Sequence, residues 1–297
     1  MKLLITTQAV DAEDSVLGFF HRWIEEFAKH CERVTVLCLR EGKHTFPKNV
    51  EIIQLHSQTR IMRAIEFIRL VVMLRNTYSA VFVHMNPEYT VLGGLLWRLW
   101  GKKIGLWYVH KAVTLRLRLA TILCHIVFTA SKESFRLHSS KVHVVGHGID
   151  TVFFSPDPSV ARATTLLSVG RLMRSKRHDL AIRVAADEGK VLHVVGEGPE
   201  RQKLEELARE LGVRVRFLGG LNQAQLRDEY RTAARLIHRS ETGSLDKVVL
   251  EAAACGLPVD TLDPALAALP LKRPDPDYVR AHHSLDKLVS TIMDAYH

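Results

Sequence analysis

Two cations, Arg171 and Lys176, stand in the run Gly170-Arg-Leu-Met-Arg-Ser-Lys176, between a short β-branched stretch and an amphipathic one. At the carboxyl end of a strand, beside a helix N-terminus, two fixed positive charges make a site suited to a diphosphate. The alternative is a solvated basic loop, since Arg174 and Arg177 share the run. Gly196 and Glu197 fall in Val195-Gly-Glu-Gly-Pro199, a strand-to-helix turn of the kind where backbone N–H groups face a ligand. Gly243, Ser244 and Leu245 form a loop before a helix whose first turns hold Asp246, Lys247, Val248 and Glu251. Such a loop supplies N–H donors for phosphate oxygens, and the Glu251 carboxylate can accept two hydroxyl hydrogen bonds from a ribose. Gly256 and Pro258 then end the helix.

The elements that must hold these residues alternate. Strands are expected at 3–6, 34–39, 50–55, 80–85, 104–110, 126–130 and 142–145, then at 166–169, 191–195, 215–218, 236–238 and 258–261. Amphipathic segments at 19–30, 60–75, 178–186, 200–211 and 223–234 lie between them. Strands alternating with such helices indicate βαβ units and parallel sheets. Gly and Pro punctuation over 146–158 separates the two series. The expectation is therefore two Rossmann-like, doubly wound parallel-sheet domains facing a cleft, 1–155 and 156–282, with residues 283–297 as a helix packing back on the first. Ligands in such folds bind at the carboxyl ends of the strands. Gly18, at a helix start, either lets a phosphate or sugar approach the backbone or is a plain turn residue.

Composition sets the bounds. The chain has 297 residues, 47% hydrophobic and 25% charged, which excludes disordered and fibrous classes. The first 150 residues hold 20 Lys and Arg against 12 Asp and Glu, while the remainder is nearly balanced at 21 against 20. The halves are thus expected to meet different partners, the first an anionic one. The four cysteines have no metal or redox spacing and read as buried thiols of a reducing compartment. No GxGxxG follows the first strand, so a nicotinamide or flavin site is unsupported. Sixteen histidines include no set at metal-ligand spacing with a carboxylate or Cys. No recognition-helix or aromatic-platform motif supports nucleic-acid binding. The most apolar stretch, 91–109, is broken by Arg98, Lys102 and Lys103, so no membrane span is expected. The location expected is cytoplasmic, or peripheral on the inner face of a membrane.

In combination, Phe128-Thr-Ala-Ser-Lys-Glu-Ser134, Gly146-His-Gly-Ile-Asp150, Ser168-Val-Gly-Arg171 with Lys176, Gly196-Glu-Gly-Pro199 and Leu250-Glu-Ala-Ala-Ala-Cys-Gly-Leu-Pro-Val259 resemble the GT-B glycosyltransferases, specifically the retaining GT4 family. The resemblance implies a metal-independent hexosyltransferase that takes a UDP- or GDP-sugar and needs no other cofactor. The acceptor would be a glycan, a lipid-linked compound or a small molecule. Arg171 and Lys176 would hold the donor diphosphate, Glu251 the ribose, and the loop 242–249 the diphosphate and donor sugar. Gly18 would let the first domain's loop close over the donor, and His110 would contact the donor sugar.

The sequence also departs from that family. A glutamate expected eight positions before Glu251 is Gly243, and Glu241 stands two residues too early. His147 replaces a usual Asn; Arg235, Arg239 and Asp260 stand where apolar or small residues are usual. The segment 262–276 is short and rich in proline, so the second domain reads as abbreviated. These departures leave open a nucleotide-sugar-binding protein with impaired catalysis. Residues 60–75 read as a helix packed on the first sheet with a solvated face; the alternative is a helix lying on an anionic membrane.

Overall fold

Leu3, Leu4 and Ile5 are all buried, so the first strand is covered on both faces, as a central parallel strand must be. In the computed structural model, which describes residues 1–241, 245–263, 266, 269 and 275–297, that strand is β1 (Lys2–Val10). Around it lie β2 (Arg33–Glu41), β3 (Val50–Gln54), β4 (Ala80–His84), β5 (Lys103–Trp107), β6 (Ile126–Thr129) and β7 (Val142–Val144). They form a seven-stranded parallel sheet in the order β3-β2-β1-β4-β5-β6-β7. A five-stranded sheet follows, in the order β10-β9-β8-β11-β12, from β8 (Leu166–Val169), β9 (Leu192–Val195), β10 (Val215–Gly219), β11 (Arg235–His238) and β12 (Val259–Thr261). All twelve strands lie where the sequence pattern put them, with no end moved by more than four residues.

The chain divides into two compact units, Met1–Gly148 with Leu285–His297, and Ile149–Ser284. The division falls before Ile149 and Phe154 because both side chains are buried in the second core.

In the first unit, α1 (Phe19–His30) buries Phe20, Trp23, Ile24 and Phe27, the apolar stripe of an amphipathic helix. Beside it α10 (Leu285–Asp294) buries Leu288, Val289 and Ile292 in the same core. Tyr296, just beyond α10, donates its hydroxyl to the Val81 carbonyl at 2.7 Å. The opposite face of the sheet is covered by α2 (Arg60–Met73), α3 (Pro87–Leu99) and α4 (Leu115–Leu123), which insert Phe67, Val71, Trp97 and Leu117. The apolar stretch 91–109 is thus divided at Gly101, whose φ of 65° ends α3 before β5 begins. No described helix is long and apolar enough to cross a membrane.

In the second unit, α5 (His178–Asp187), α6 (Arg201–Glu210), α7 (Gln223–Thr232), α8 (Lys247–Ala254) and α9 (Pro276–His283) accompany the smaller sheet. Asn222 and Gln225 form a reciprocal capping box at the start of α7. The unusual Arg239 and Asp260 pair with each other through two hydrogen bonds of 2.9 and 3.1 Å, and Arg235 pairs with Glu188. Arg239 and Asp260 therefore satisfy each other, while Arg235 is paired from outside the strands by Glu188. All four cysteines are free and buried, and burial pushes their thiols up to about 11 or 12.

Candidate functional site

β8 ends at Val169, and Gly170 follows with φ 150°, turning the chain toward Arg171. Gly196 does the same after β9 with φ 132°, and a Cβ there would strike the Gly170 carbonyl. The two loops therefore pack backbone against backbone. The Gly170 N–H donates to the Val195 carbonyl at 3.0 Å, and the Leu172 N–H donates to the Glu197 carbonyl at 2.9 Å. Glycine at 196 is required by that approach and by its dihedral. The Glu197 side chain is exposed, 3.9 Å from Arg201.

Arg171 is exposed and has no side-chain partner among the described residues. Lys176 is held: its Nζ donates to Asp246 Oδ2 at 2.7 Å. Asp246, at the N-cap of α8, also lies 2.9 Å from His238 Nε2, and His238 Nδ1 is 3.1 Å from the Thr261 hydroxyl. Burial alone would push the Asp246 carboxyl up. The His238 hydrogen bond and the Lys176 charge outweigh burial and hold it well below the usual carboxylate range. Asp246 is therefore a fixed anion that sets the position of the Lys176 ammonium.

One turn into α8, Glu251 is 2% exposed. Lys247 Nζ lies 2.9 Å from its Oε1, and the Tyr230 hydroxyl donates to its Oε2 at 3.3 Å. Burial, reinforced by Glu251, pushes the Tyr230 phenol far up. Leu245 and Val248 pack against the second core. Gly243 and Ser244 lie outside the described residues. Glu241 is turned to Arg177, and its own N–H donates to the Ser175 carbonyl at 2.9 Å.

His178 was not singled out from the sequence. It opens α5, its Nδ1 lies 2.9 Å from the Ser168 hydroxyl, and its Nε2 sits under the Gly170–Arg171 turn. Burial pushes the ring down to about 4, so it is neutral and supports the loop that carries Arg171. A His at a helix start gave no signal in the sequence because the contact that matters is with the preceding strand and turn.

In the first unit, His110 lies three residues beyond β5 and is exposed; its Nδ1 accepts the Ala112 N–H at 2.9 Å. That bond assigns the ring N–H to Nε2. Gly18 is buried at the start of α1, where a Cβ would run into the Asp14 carbonyl, so the tight loop after β1 by itself requires glycine. A second buried histidine escaped the sequence reading here. His84, at the end of β4, stacks on Phe20 with ring centroids 4.0 Å apart and lies 3.1 Å from the Thr7 hydroxyl. The described residues include no group of three or more His, Cys, Asp or Glu placed to hold a metal ion.

The carboxyl edge of the second sheet thus presents one exposed cation, one cation positioned by a half-buried carboxylate, and a helix start. Together these can hold an anion with hydroxyls nearby. Residues 154–265, which contain all of these groups, match the family model for glycosyl transferases group 1. Through this segment the chain is similar to that family. A phosphatidylinositol N-acetylglucosaminyltransferase subunit from Arabidopsis thaliana is 30% identical over 204 residues, covering 63% of this chain and 44% of that protein. D-inositol 3-phosphate glycosyltransferase 2 from Catenulispora acidiphila is 35% identical over 158 residues, covering 43% and 37%. The chain spans less than half the length of these curated relatives. Among solved structures, the Anabaena protein HepE, in complex with UDP and glucose, is similar at a TM-score of 0.75 and 16% identity, covering 99% of each chain. The fold, two parallel α/β sheets in one chain, is what this chain shares with that structure. The group 1 segment holds Arg171, Lys176, Gly196, Glu197 and residues 243–251, whereas Gly18 and His110, which the sequence also pointed to, lie outside it.

Proposed function

We propose that the chain is a retaining hexosyltransferase of the GT4 type, moving a sugar from a UDP- or GDP-sugar to an acceptor hydroxyl. The observation that carries the reading is the Lys176–Asp246–His238 chain beside the exposed Arg171, at the carboxyl edge of the second sheet. It is an anion site whose geometry is set before any ligand arrives. Arg171 and Lys176 would take the diphosphate, and their charge would stabilise the departing nucleotide as the bond to the anomeric carbon breaks. The same charges would serve without a metal ion. Glu251, paired with Lys247, would accept the ribose hydroxyls once Tyr230 or Lys247 shifts. Gly196 and the start of α8 would bring backbone N–H groups to the phosphates. The resemblance assigns His110 to the donor sugar and Gly18 to the donor as well. Catalysis would rest on holding the reacting groups together and on the leaving-group charge. The HepE complex with UDP and the two inositol-directed relatives support a nucleotide-sugar donor and a glycan, lipid-linked or small-molecule acceptor.

A second reading has its own observation. Glu241 is committed to Arg177 and Gly243 replaces a carboxylate, which favours a protein that binds nucleotide sugars without turnover. Calorimetric titration with UDP and GDP, followed by nucleotide release from UDP-glucose, UDP-N-acetylglucosamine and GDP-mannose with and without EDTA, separates the two. Turnover that survives EDTA, with the anomeric configuration kept by NMR, is expected; binding without release would favour the second reading.

A further inference from the structure

Helices on a solvated surface normally turn polar side chains outward, but α2, α3 and α4 do not. Among the described residues, nine of the fifteen exposed large apolar side chains lie on these three helices. On α2, Ile61, Met62 and Ile65 point away from Phe67 and Val71, which already fill the core. Leu95 and Leu99 are exposed on α3, Leu115 and Ile122 on α4. The apolar residues are interleaved with arginines: Arg60, Arg63 and Arg69 on α2, Arg98 on α3, and Arg116 and Arg118 on α4. The two carboxylates of these helices are both engaged. Glu66 accepts the N–H groups of His56 and Ser57 at 3.0 and 2.9 Å, and Glu88 pairs with Arg116 at 2.7 Å. The layer is therefore apolar and basic at once.

Where the three helices begin, a cavity of about 440 Å³ opens at the carboxyl edge of the first sheet, lined by Arg60, Arg63, Arg116, Glu88, Tyr89 and Leu39. Arg63 donates to the Ser57 and Gln58 carbonyls at 3.2 and 3.4 Å, which fixes it at the rim. Arg60 has no side-chain partner among the described residues.

We propose that this face docks on an anionic lipid bilayer, its exposed Ile, Leu and Met side chains entering the interface and its arginines meeting lipid phosphates, with one phospholipid phosphate in the cavity. Charge complementarity selects the occupant: a protein partner or a second copy of this chain would have to bury the arginines against acidic groups, whereas anionic headgroups lie over acyl chains in the arrangement the helices present. On the proposed transferase reading, docking brings the enzyme to a lipid-borne acceptor; the docking itself stands without that reading.

The test is sedimentation of the full chain with vesicles of phosphatidylcholine alone or mixed with phosphatidylglycerol. The chain should pellet with the mixed vesicles and far less with the neutral ones. Arg60→Gln should weaken binding about fivefold. Ile61→Ser with Ile65→Ser, or Leu99→Ser alone, should weaken it about tenfold or more. Thermal melting and lipid-free UDP-sugar hydrolysis should be unchanged in the Ile and Leu variants, so a failure of docking is distinguishable from a failure of the transferase reading. Equal pelleting with neutral and anionic vesicles would overturn the proposal. So would wild-type binding by the Ile and Leu variants, or a halving of the solution mass on Ile61→Ser with Ile65→Ser, which would make the face a contact between copies.

Discussion

Lys176→Ala removes the positioned cation and leaves its positioner behind. Asp246 would keep its 2.9 Å partner His238 and stay ionised, so the diphosphate would lose an attraction and meet an uncompensated carboxylate. A unit charge pair about 4 Å apart at an effective dielectric near 20 is worth ~4 kcal/mol. With the Lys176 side chain 20% exposed and Arg171 still present, the loss is taken as ~3 kcal/mol, or about a hundredfold in kcat/KM for the donor. Lys176→Ala with Asp246→Asn should recover about tenfold of that, because the repulsive carboxylate is gone while the lost cation is not restored. Nucleotide release at limiting UDP-sugar, with calorimetric UDP affinity alongside, reads both numbers. The reasoning is refuted if the single variant stays within about threefold of wild type, or if the double variant is no better than the single.

Three further outcomes are expected. The His178 ring titrates near 4 when folded against 6.5 when unfolded, so the native state resists a proton that the unfolded state accepts. The stability from this group is full above pH 6.5 and is lost as pH falls toward 4, by about 3 kcal/mol; His178→Gln should flatten urea-unfolding stability over that window. Tyr296→Phe removes the donor to the Val81 carbonyl and should cost about 1–2 kcal/mol in the melt without changing UDP affinity. Arg239→Ala should cost about 2–3 kcal/mol, since only 8% of that side chain is exposed. A double-mutant cycle with Asp260→Ala should show most of that cost to be coupling, and additive losses would contradict the pairing.

The departures in the sequence divide by whether their compensation is local. Gly243 and the early Glu241 could be recognised as anomalies from spacing alone, yet the pairing of Glu241 with Arg177 spans 64 residues and was invisible. Arg235, Arg239 and Asp260 looked like polar intrusions in apolar strands; adjacent strands β11 and β12 bring Arg239 and Asp260 together and dissolve the anomaly. Gly18 was open between ligand approach and turn, and the Asp14 carbonyl shows that the turn alone demands glycine.

Strand and helix positions, the two-sheet class and the motifs of the group 1 segment were legible in the sequence itself. Hydrophobic period and Gly–Pro punctuation are local properties, and parallel strands buried on both faces advertise themselves as apolar runs. Only the tertiary structure decided which charges are already spent. Lys176 is committed to Asp246, Glu251 to Lys247 and Tyr230, and both carboxylates among the arginines of α2–α4 to their own neighbours. The periodicity of residues 60–75 shows a helix with an apolar side; that a second apolar surface is left facing solvent emerges only when Phe67 and Val71 are seen to have filled the core. Ion pairs and burial are set by distances between residues far apart in the chain, and spacing along a sequence carries no record of them.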